Sequence, residues 1–469
     1  MVKLSLAVVA AAIGLFLAGP ASAFNRQDVT VVSGDGTPLA ATLFVPDATP
    51  PPGGWPAVVF MHGLAGERTS MNALAQSMGV VGEQYAVLTF DARGHGQSGG
   101  LIGIDGPNEV ADVRAVFSWL RDRPEVADGR IGAWGISYGG GAALNSLVAG
   151  VPWAAIEVAE TWSDLYTALA PQGLAKSGVI GGFLTALPPA KVDPVVLAVR
   201  DAAFAGRAEE VAAFAAQRSS LTKLKGVRTP VFLMQGRRDF AFGIDQATRA
   251  YGLLAGPKRL WIGNHGHAPS SFPAADTARM LAAGRAWFDR FLRGAANGAE
   301  RPAIVIAREG SAQTQALARL PSTVALSNAA GGSRTIARAG KVVRTFARLS
   351  RNVEVFGSPR VRVDATSATG GWSRLVAVLS ARTPAGKEIV VAGGGVPTRP
   401  GTRSYTISLS SQATFVPRGS RLTLTLGASS LAQSPGNLLY LDLPMPATAR
   451  LRVGAARLTV PVLAVPLTR

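Results

Sequence analysis

Cysteine is absent from this sequence of 469 residues, and histidine occurs only 4 times. Without thiols, the chain has no disulfide, no thiol nucleophile and no thiolate metal site. Charged residues are also scarce at 16%, whereas hydrophobic residues reach 48%, which is typical of folded globular proteins and not of disordered ones. The length suits two or three domains, because a single core rarely grows so large.

Acidic residues are few, and the shortage is confined to one part of the chain. Residues 301–469 contain 22 Lys and Arg but 5 Asp and Glu, whereas the first 300 residues contain 25 and 24. The basic part could attract an anionic wall polymer, lipid head groups or nucleic acid. Because its charges are scattered through strand-like segments and are not clustered with aromatic residues, we interpret it as a solvated surface and expect no nucleic-acid partner.

The hydrophobic run at the N-terminus is too short to favour a membrane span. Lys3 precedes an apolar run over residues 4–18, and Ala21-Ser22-Ala23 fits a small-x-small cleavage site. We therefore expect residues 1–23 to be a bacterial Sec-type signal peptide and the mature chain to be secreted or periplasmic, with no integral membrane span after cleavage. The alternative is an uncleaved anchor.

A serine between glycines is the strongest local signal. The apolar run 131–136 leads into a G-x-S-x-G sequence at residues 135–139, and a helix-like segment of small residues follows. Strand, G-x-S-x-G and helix form the context of a nucleophile elbow, where the serine occupies a strained turn above the sheet edge. The glycines remove Cβ atoms that would collide at this turn. We therefore predict that Ser137 is a nucleophile.

A serine nucleophile needs a base that is oriented by an acid. Asp239 and His267 each follow a strand-like run, so their loops should reach the same sheet edge as the loop of Ser137. The order Ser, Asp, His is that of α/β-hydrolases and differs from the orders of chymotrypsin-like and subtilisin-like proteases. We predict these three residues to be catalytic.

The choice of histidine depends on chain order. His62 and His95 precede the serine, which leaves His265 and His267. His267 lies further out on its loop, so His265 is the reserve base, and Asp245 is the reserve acid.

An oxyanion site is predicted from two backbone groups. His62-Gly63-Leu64 follows the buried strand-like run 57–61, and the N–H of Leu64 could act together with the N–H of Tyr138 on a developing oxyanion. We interpret His62 as a structural residue that shapes this loop.

Changes of pattern along the chain define the domains. Strands alternate with helices up to residue 159, which indicates a mostly parallel sheet with helices on both faces. Helix-like stretches with prolines then dominate, and after residue 294 short strand-like segments recur, the first at residues 303–307. We expect an α/β-hydrolase domain (24–159 and 225–295), a helical cap (160–224) and a C-terminal β-sandwich or jelly-roll domain (300–469).

Four motifs resemble those of the peptidase S15 / CocE-NonD hydrolases, which include X-prolyl dipeptidyl aminopeptidases, cocaine-esterase-like acyl esterases and α-amino acid ester hydrolases. The motifs are GISYGG at the elbow, DARGHGQSGG before it, QGRRDF at the acid and IGNHGH at the histidine. The family spacing I-G-x-x-x-H falls on His267. The resemblance implies an α/β-hydrolase fold, a helical cap and a C-terminal jelly roll over almost all of the mature chain.

The chain also departs from this family. Many members supply an oxyanion donor from a tyrosine after the early strand, where this chain has His62-Gly63-Leu64. Peptidase members need a carboxylate for the free amine of the substrate; Glu160 and Asp164 could provide it, or could cap the next helix. Four apolar side chains could line a substrate pocket or form a small core of the cap: Trp162, Tyr166, Leu174 and Phe183.

We therefore predict a secreted serine hydrolase that cleaves a small-molecule ester or a short peptide through an acyl-enzyme, foremost an acyl esterase. No metal or organic cofactor is implied, and homo-oligomer contacts through the β domain are compatible with this prediction. One alternative is an X-Pro dipeptidyl aminopeptidase. An alternative of another class is a binding protein with a relict hydrolase domain, held to an anionic envelope polymer by residues 301–469.

Overall fold

A computed structural model describes residues 24–82, 84–367, 371–430, 439–465 and 467. The predicted signal peptide, residues 1–23, lies outside the described residues and stays a prediction. Within the described part, the helices are all too short or too polar to span a bilayer.

Ten strands form one mixed sheet. They are β1 (Phe24–Val32), β2 (Pro38–Pro46), β3 (Trp55–Met61), β4 (Ala86–Phe90), β5 (Val126–Ile136), β6 (Ala155–Ala159), β7 (Val231–Gly236), β8 (Lys258–Gly263), β9 (Ile304–Ala307) and β10 (Thr314–Leu317). Their order is β1-β2-β4-β3-β5-β6-β7-β8-β9-β10. The seven strands β3 to β9, which are neighbours in this order, are parallel to one another. Because β3, β4 and β6 are buried along their whole length, they contain almost continuous apolar runs.

Helices cover both faces of this sheet and also form a cap. They are α1 (Arg68–Ser77), α2 (Pro107–Arg121), α3 (Tyr138–Val148), α4 (Leu165–Leu169), α5 (Ser177–Thr185), α6 (Pro194–Phe204), α7 (Ala208–Ala216), α8 (Ile244–Leu253) and α9 (Thr277–Arg293). Apolar residues of α2, α3 and α8 pack on one face, and those of α1 and α9 pack on the other. Helices α4 to α7 are inserted between β6 and β7.

Two antiparallel sheets make the C-terminal part. The strands are β11 (Thr323–Ala330), β12 (Arg334–Ala337), β13 (Val342–Arg348), β14 (Val353–Gly357), β15 (Arg360–Ser367), β16 (Arg374–Arg382), β17 (Glu388–Pro397), β18 (Gly401–Ser408), β19 (Gln412–Val416), β20 (Arg421–Gly427) and β21 (Arg450–Leu463). One sheet has the order β18-β15-β21-β14-β19, with β11 and β12 also paired to β21, and the other has the order β13-β20-β16-β17. A shared apolar core joins the sheets. The predicted α/β-hydrolase fold with helical cap and C-terminal β-sandwich is confirmed.

The sequence predicts that the β-sandwich domain starts at residue 300 and includes a strand at residues 303–307, and this assignment of the strand is wrong. The strand expected at residues 303–307 is β9, and it pairs in parallel with β8 of the first sheet, while β10 extends that sheet further. The physical reason is that β8, α9 and β9 form a strand–helix–strand unit whose crossover helix covers the sheet. The first sheet therefore ends at Leu317. The other domain limits stay predictions.

Candidate active site

Ser137 occupies a strained turn between β5 and α3. Its backbone has φ 53° and ψ −114°, a conformation that residues other than glycine rarely adopt. The flanking glycines are required by close packing, because a Cβ at Gly135 would lie 2.2 Å from the carbonyl oxygen of Gly139. A Cβ at Gly139 would lie 2.2 Å from the carbonyl oxygen of Met61 in β3. This is the geometry of a nucleophile elbow.

A continuous hydrogen-bond chain links Ser137, His267 and Asp239. The serine Oγ lies 3.0 Å from His267 Nε2, and His267 Nδ1 lies 2.7 Å from Asp239 Oδ2. The second carboxylate oxygen of Asp239 accepts hydrogen bonds from the N–H groups of Ala241 and Phe242, at 2.9 Å each. The acid is therefore fixed by its own loop, and the arrangement can move a proton from the serine to the imidazole.

The two reserve residues do not join this chain of hydrogen bonds. His265 is fully buried, and neither of its ring nitrogens has a hydrogen-bond partner among the described residues. Burial lowers the pKa of His265 to about 4, so it is a neutral core residue at neutral pH. Asp245 lies in the first turn of α8, where it accepts a hydrogen bond of 3.3 Å from Gln246.

Opposing effects set the basicity of His267. Burial disfavours its charged form, but the charge and hydrogen bond of Asp239 and the charge of Glu160 outweigh this effect and raise its pKa above the ordinary 6.5. The rings of Phe183 in α5 and Phe242 pack against the imidazole, with centroids 5.6 Å and 5.1 Å away. Sequence reasoning missed Phe242, although an aromatic residue so close to the acid on the same loop was an available signal.

The two predicted oxyanion donors belong to segments that adjoin the serine: Tyr138 follows it in the chain, and Leu64 follows Gly63. Tyr138 is the first residue of α3, so its N–H has no acceptor within the helix. Gly63 lies against the elbow, since a Cβ built there would be 3.6 Å from the Cβ of Ser137, and Leu64 follows it. His62 holds this turn: its carbonyl accepts from Gly139 N–H at 2.9 Å, and its ring Nε2 accepts from Ala92 N–H at 3.0 Å.

Glu160 follows β6 and lies close to the catalytic pair. One oxygen of Glu160, one of Asp239 and one nitrogen of His267 all lie within 4.8 Å of one another. Glu160 is only 4% exposed, and its Oε1 has no hydrogen-bond partner among the described residues. Burial, reinforced by the charge of Asp239, raises the pKa of Glu160 to about 8.

The other predicted substrate contacts serve mainly to build the cap. Asp164 caps α4 by accepting from Thr167 N–H at 3.1 Å, as one alternative proposed. Trp162 is 4% exposed and donates from Nε1 to the carbonyl oxygen of Arg218 at 2.8 Å. Tyr166 is half-buried against the apolar core of the cap. The structure therefore places Glu160, and not Asp164, beside His267.

Comparisons with known proteins agree with this fold. The family model described as X-Pro dipeptidyl-peptidase (S15 family) matches residues 35–269, which is half of the chain. The chain belongs to the peptidase S15 family. Most of the match lies in the α/β sheet, the elbow and the cap, and it ends two residues after His267.

Solved structures extend the likeness of this S15 hydrolase to nearly the whole chain. A CocE/NonD family hydrolase from Staphylococcus aureus has a TM-score of 0.72 at 16% identity, and the match covers 94% of both chains. An alpha-amino acid ester hydrolase has a TM-score of 0.68 at 15% identity, covering 98% of this chain and all of the other. At such identities the shared feature is the fold.

A curated relative is similar over a shorter segment. The quorum-quenching protein AidA of Acinetobacter baumannii (strain MDR-ZJ06) is 31% identical over 144 residues. The alignment spans 28% of this S15 hydrolase and 47% of the relative, so the chain covers about half of that protein's length.

The cluster of Glu160, Asp239 and His267 also offers three donor atoms of the kind that bind metal ions. Both ring nitrogens of His267 are already engaged, one by Asp239 and the other by Ser137. A metal ion at this cluster would have to displace one of these hydrogen bonds. The arrangement therefore fits a proton relay better than a metal site.

The β-sandwich supports the acid loop of this S15 hydrolase. Arg237 is 1% exposed, and its guanidinium pairs with Glu354 in β14 and donates to the carbonyl oxygen of Ala307. Gln412 in β19 donates from Nε2 to the carbonyl oxygen of Asp239 at 3.0 Å. The C-terminal domain thus contacts the backbone of Asp239 directly, a link that no sequence motif indicated.

Proposed function

We propose that this protein is a serine hydrolase that cleaves ester or amide bonds through an acyl-enzyme, and that it acts foremost as an acyl esterase. The observation that carries this proposal is the unbroken hydrogen-bond chain from Ser137 through His267 to Asp239. Such a chain activates a hydroxyl that is otherwise a weak nucleophile at neutral pH.

In the proposed reaction, Ser137 Oγ attacks the substrate carbonyl while His267 Nε2 takes the hydroxyl proton. Asp239 holds the imidazole through Nδ1 and stabilises the imidazolium. The N–H groups of Tyr138 and Leu64 stabilise the oxyanion. His267 then gives the proton to the leaving group, and a water molecule, activated by the same imidazole, releases the acid from Ser137.

A second candidate is the hydrolysis of substrates that carry a free amine, such as amino-acid esters or X-Pro peptides. The observation that favours it is the buried carboxyl of Glu160, whose Oε1 lacks a hydrogen-bond partner among the described residues. A substrate ammonium group could pair with this carboxyl and offset the cost of burying it. The family description, X-Pro dipeptidyl-peptidase, is compatible with this candidate.

We also propose that the protein is exported after removal of residues 1–23. Support comes from Lys3, the apolar run that follows it and the Ala21-Ser22-Ala23 triplet. Expression in a bacterial host tests this proposal: an intact mass that begins at Phe24 in the periplasm or medium supports it, and a full-length cytoplasmic product contradicts it.

Activity is tested with p-nitrophenyl acetate, p-nitrophenyl butyrate and Ala-Pro-p-nitroanilide. Wild type should cleave the esters, and Ser137→Ala should lose this activity, whereas Ser77→Ala on the exposed end of α1 should keep it. Strong turnover of Ala-Pro-p-nitroanilide would favour the second candidate. No turnover of the three substrates, with residues 301–469 binding an anionic polymer, would favour the alternative of a relict hydrolase domain.

A further inference from the structure

Glu160 is held in a costly position. Its φ of 54° lies in the left-handed region, which a glutamate adopts rarely, and its N–H donates to the carbonyl oxygen of Met234 in β7 at 2.8 Å. Burial of a carboxyl oxygen, Oε1, that has no hydrogen-bond partner among the described residues adds a second cost. Strained backbone and unpaired buried polar groups concentrate at functional sites, where the surrounding structure maintains them. Both costs occur at Glu160, whose side chain has an oxygen within 4.8 Å of a ring nitrogen of His267.

The charges that act on Glu160 come from two neighbours. They are His267, which follows β8, and Asp239, which follows β7. A positive imidazolium favours the charged form of Glu160, whereas the carboxylate of Asp239 opposes it. The glutamate is therefore placed to respond to the same proton movements that the serine mechanism requires.

We propose that Glu160 is a second acid for His267, a positioning residue that can take over from Asp239 the task of balancing the imidazolium. This inference rests on the proposed serine hydrolysis and adds a residue to it. Asp239 keeps the direct hydrogen bond to Nδ1 and carries the negative charge under ordinary conditions. Glu160 supplies the negative charge when Asp239 cannot, because loss of the aspartate charge removes the repulsion that adds to burial in keeping Glu160 protonated.

The protonation state of the two carboxyl groups, Glu160 and Asp239, follows from electrostatics. Two carboxylates so close together in a buried site do not both ionise easily, so the pair holds about one negative charge at neutral pH. Since the pKa of Glu160 is raised to about 8, a second negative charge forms only at alkaline pH. In Asp239→Asn only burial still opposes the ionisation of Glu160, and the imidazolium that forms in the reaction favours it, so Glu160 should ionise at lower pH than in wild type and take over the balancing charge.

A double-mutant cycle on p-nitrophenyl butyrate tests this proposal. Removing the acid of an ordinary triad lowers kcat by about 10⁴-fold. With Glu160 as a reserve, Asp239→Asn should lower kcat by only about 10²-fold. The double variant, Asp239→Asn with Glu160→Gln, should show the full decrease of ~10⁴-fold. Equal kcat values for Asp239→Asn and the double variant would overturn the proposal.

Glu157 provides a matched control. It lies on β6 three residues before Glu160, is fully buried and also has unpartnered oxygens among the described residues, but it faces α9. Its side chain lies 2.4 Å from where a Cβ on Gly284 of α9 would be. Glu157→Gln should not change kcat in the wild type or in the Asp239→Asn background. If it lowers kcat as much as Glu160→Gln does, the effect is structural and the proposal fails.

Two further readouts separate this role from other roles. For Asp239→Asn, kcat should rise with pH as Glu160 ionises, and the added Glu160→Gln should remove this rise. A change restricted to KM for free-amine substrates would instead assign Glu160 to substrate binding and overturn the second-acid role. Full activity of Ser137→Ala would refute the serine mechanism itself, an outcome distinct from equal kcat values in the Asp239 background.

Discussion

The two sheet regions of this protein place their polar residues in opposite ways. In the first sheet, Ser137, Glu160, Asp239 and His267 each follow one of four neighbouring parallel strands, β5 to β8. Parallel strands all end at one edge, so residues that are far apart in sequence converge there. In the β-sandwich, antiparallel strands alternate in direction, and most of the basic residues on the described strands are exposed on the outer surface, with Arg374 as a buried exception.

Strands β15 and β21 show this second pattern clearly. Buried apolar residues alternate with exposed arginines such as Arg360 and Arg362 on β15 and Arg450 and Arg452 on β21. Each strand places one side chain in the core and the next in solvent. The comparison teaches that the direction of the strands, more than the number of charges, decides whether polar residues gather into a site.

A change in the packing at the nucleophile elbow is expected to have the largest effect on kcat. Gly139→Ala would bring a Cβ within 2.2 Å of the Met61 carbonyl, so α3 must move away from β3. A displacement of about 1 Å at the serine should lower kcat by at least ~10²-fold. Gly331→Ala in the sandwich, where a Cβ meets no atom within 4 Å, should leave kcat and Tm nearly unchanged. Equal effects of the two changes would break the contrast between the regions.

Loss of the ion pair between Arg237 and Glu354, which joins the two regions, is expected to give the next largest effect. Arg237→Met leaves Glu354 buried without its partner, which should lower the free energy of unfolding by about 3–5 kcal/mol. Arg338→Met removes an exposed pair with Asp442 and should cost only about 0–1 kcal/mol. Chemical denaturation of both variants measures the difference. A small cost for Arg237→Met would mean that the sandwich supports the acid loop only weakly.

The stability cost of Glu160 should depend on pH. Its folded pKa of about 8 lies above the ordinary 4.5, so wild type loses stability as pH rises between these values. The side chain of Glu160→Gln does not ionise. The Tm of this variant minus the Tm of wild type should therefore increase with pH from about 4.5 to about 8 and stay constant above about pH 8. Glu388→Gln, exposed on β17, should track wild type at each pH. Parallel curves for both variants would contradict the raised pKa.

The smallest expected effect concerns the acidic side of the pH profile of kcat/KM. His267 must be neutral to act as a base, and its pKa is raised, so kcat/KM should increase with pH through a midpoint above 6.5. Asp239→Asn removes a charge that favours the imidazolium and should move the midpoint to lower pH. Asp364→Asn, exposed in the sandwich on β15, should leave it in place. An unmoved midpoint in Asp239→Asn would show that another group sets this side of the profile.

Several features follow from the sequence alone because they are local. The elbow is encoded by five consecutive residues, 135–139, in which Gly135 and Gly139 leave room for the turn at Ser137. The order of Ser137, Asp239 and His267 gives their places after successive strands, and the change from helical to strand-like texture predicts the sandwich. The motifs also pointed to the S15 family. Such features need no knowledge of which distant residue will become a neighbour.

Only the tertiary structure decided the features that depend on distant neighbours. Glu160 and Asp164 are equivalent candidates in the sequence, yet the sharp turn after β6 directs Glu160 towards His267, while Asp164 caps α4. The residues of β9 are compatible with either sheet, and pairing with β8 assigns them to the first. A strand's partners and a carboxyl group's surroundings are set by contacts between segments far apart in the chain, which local composition does not encode.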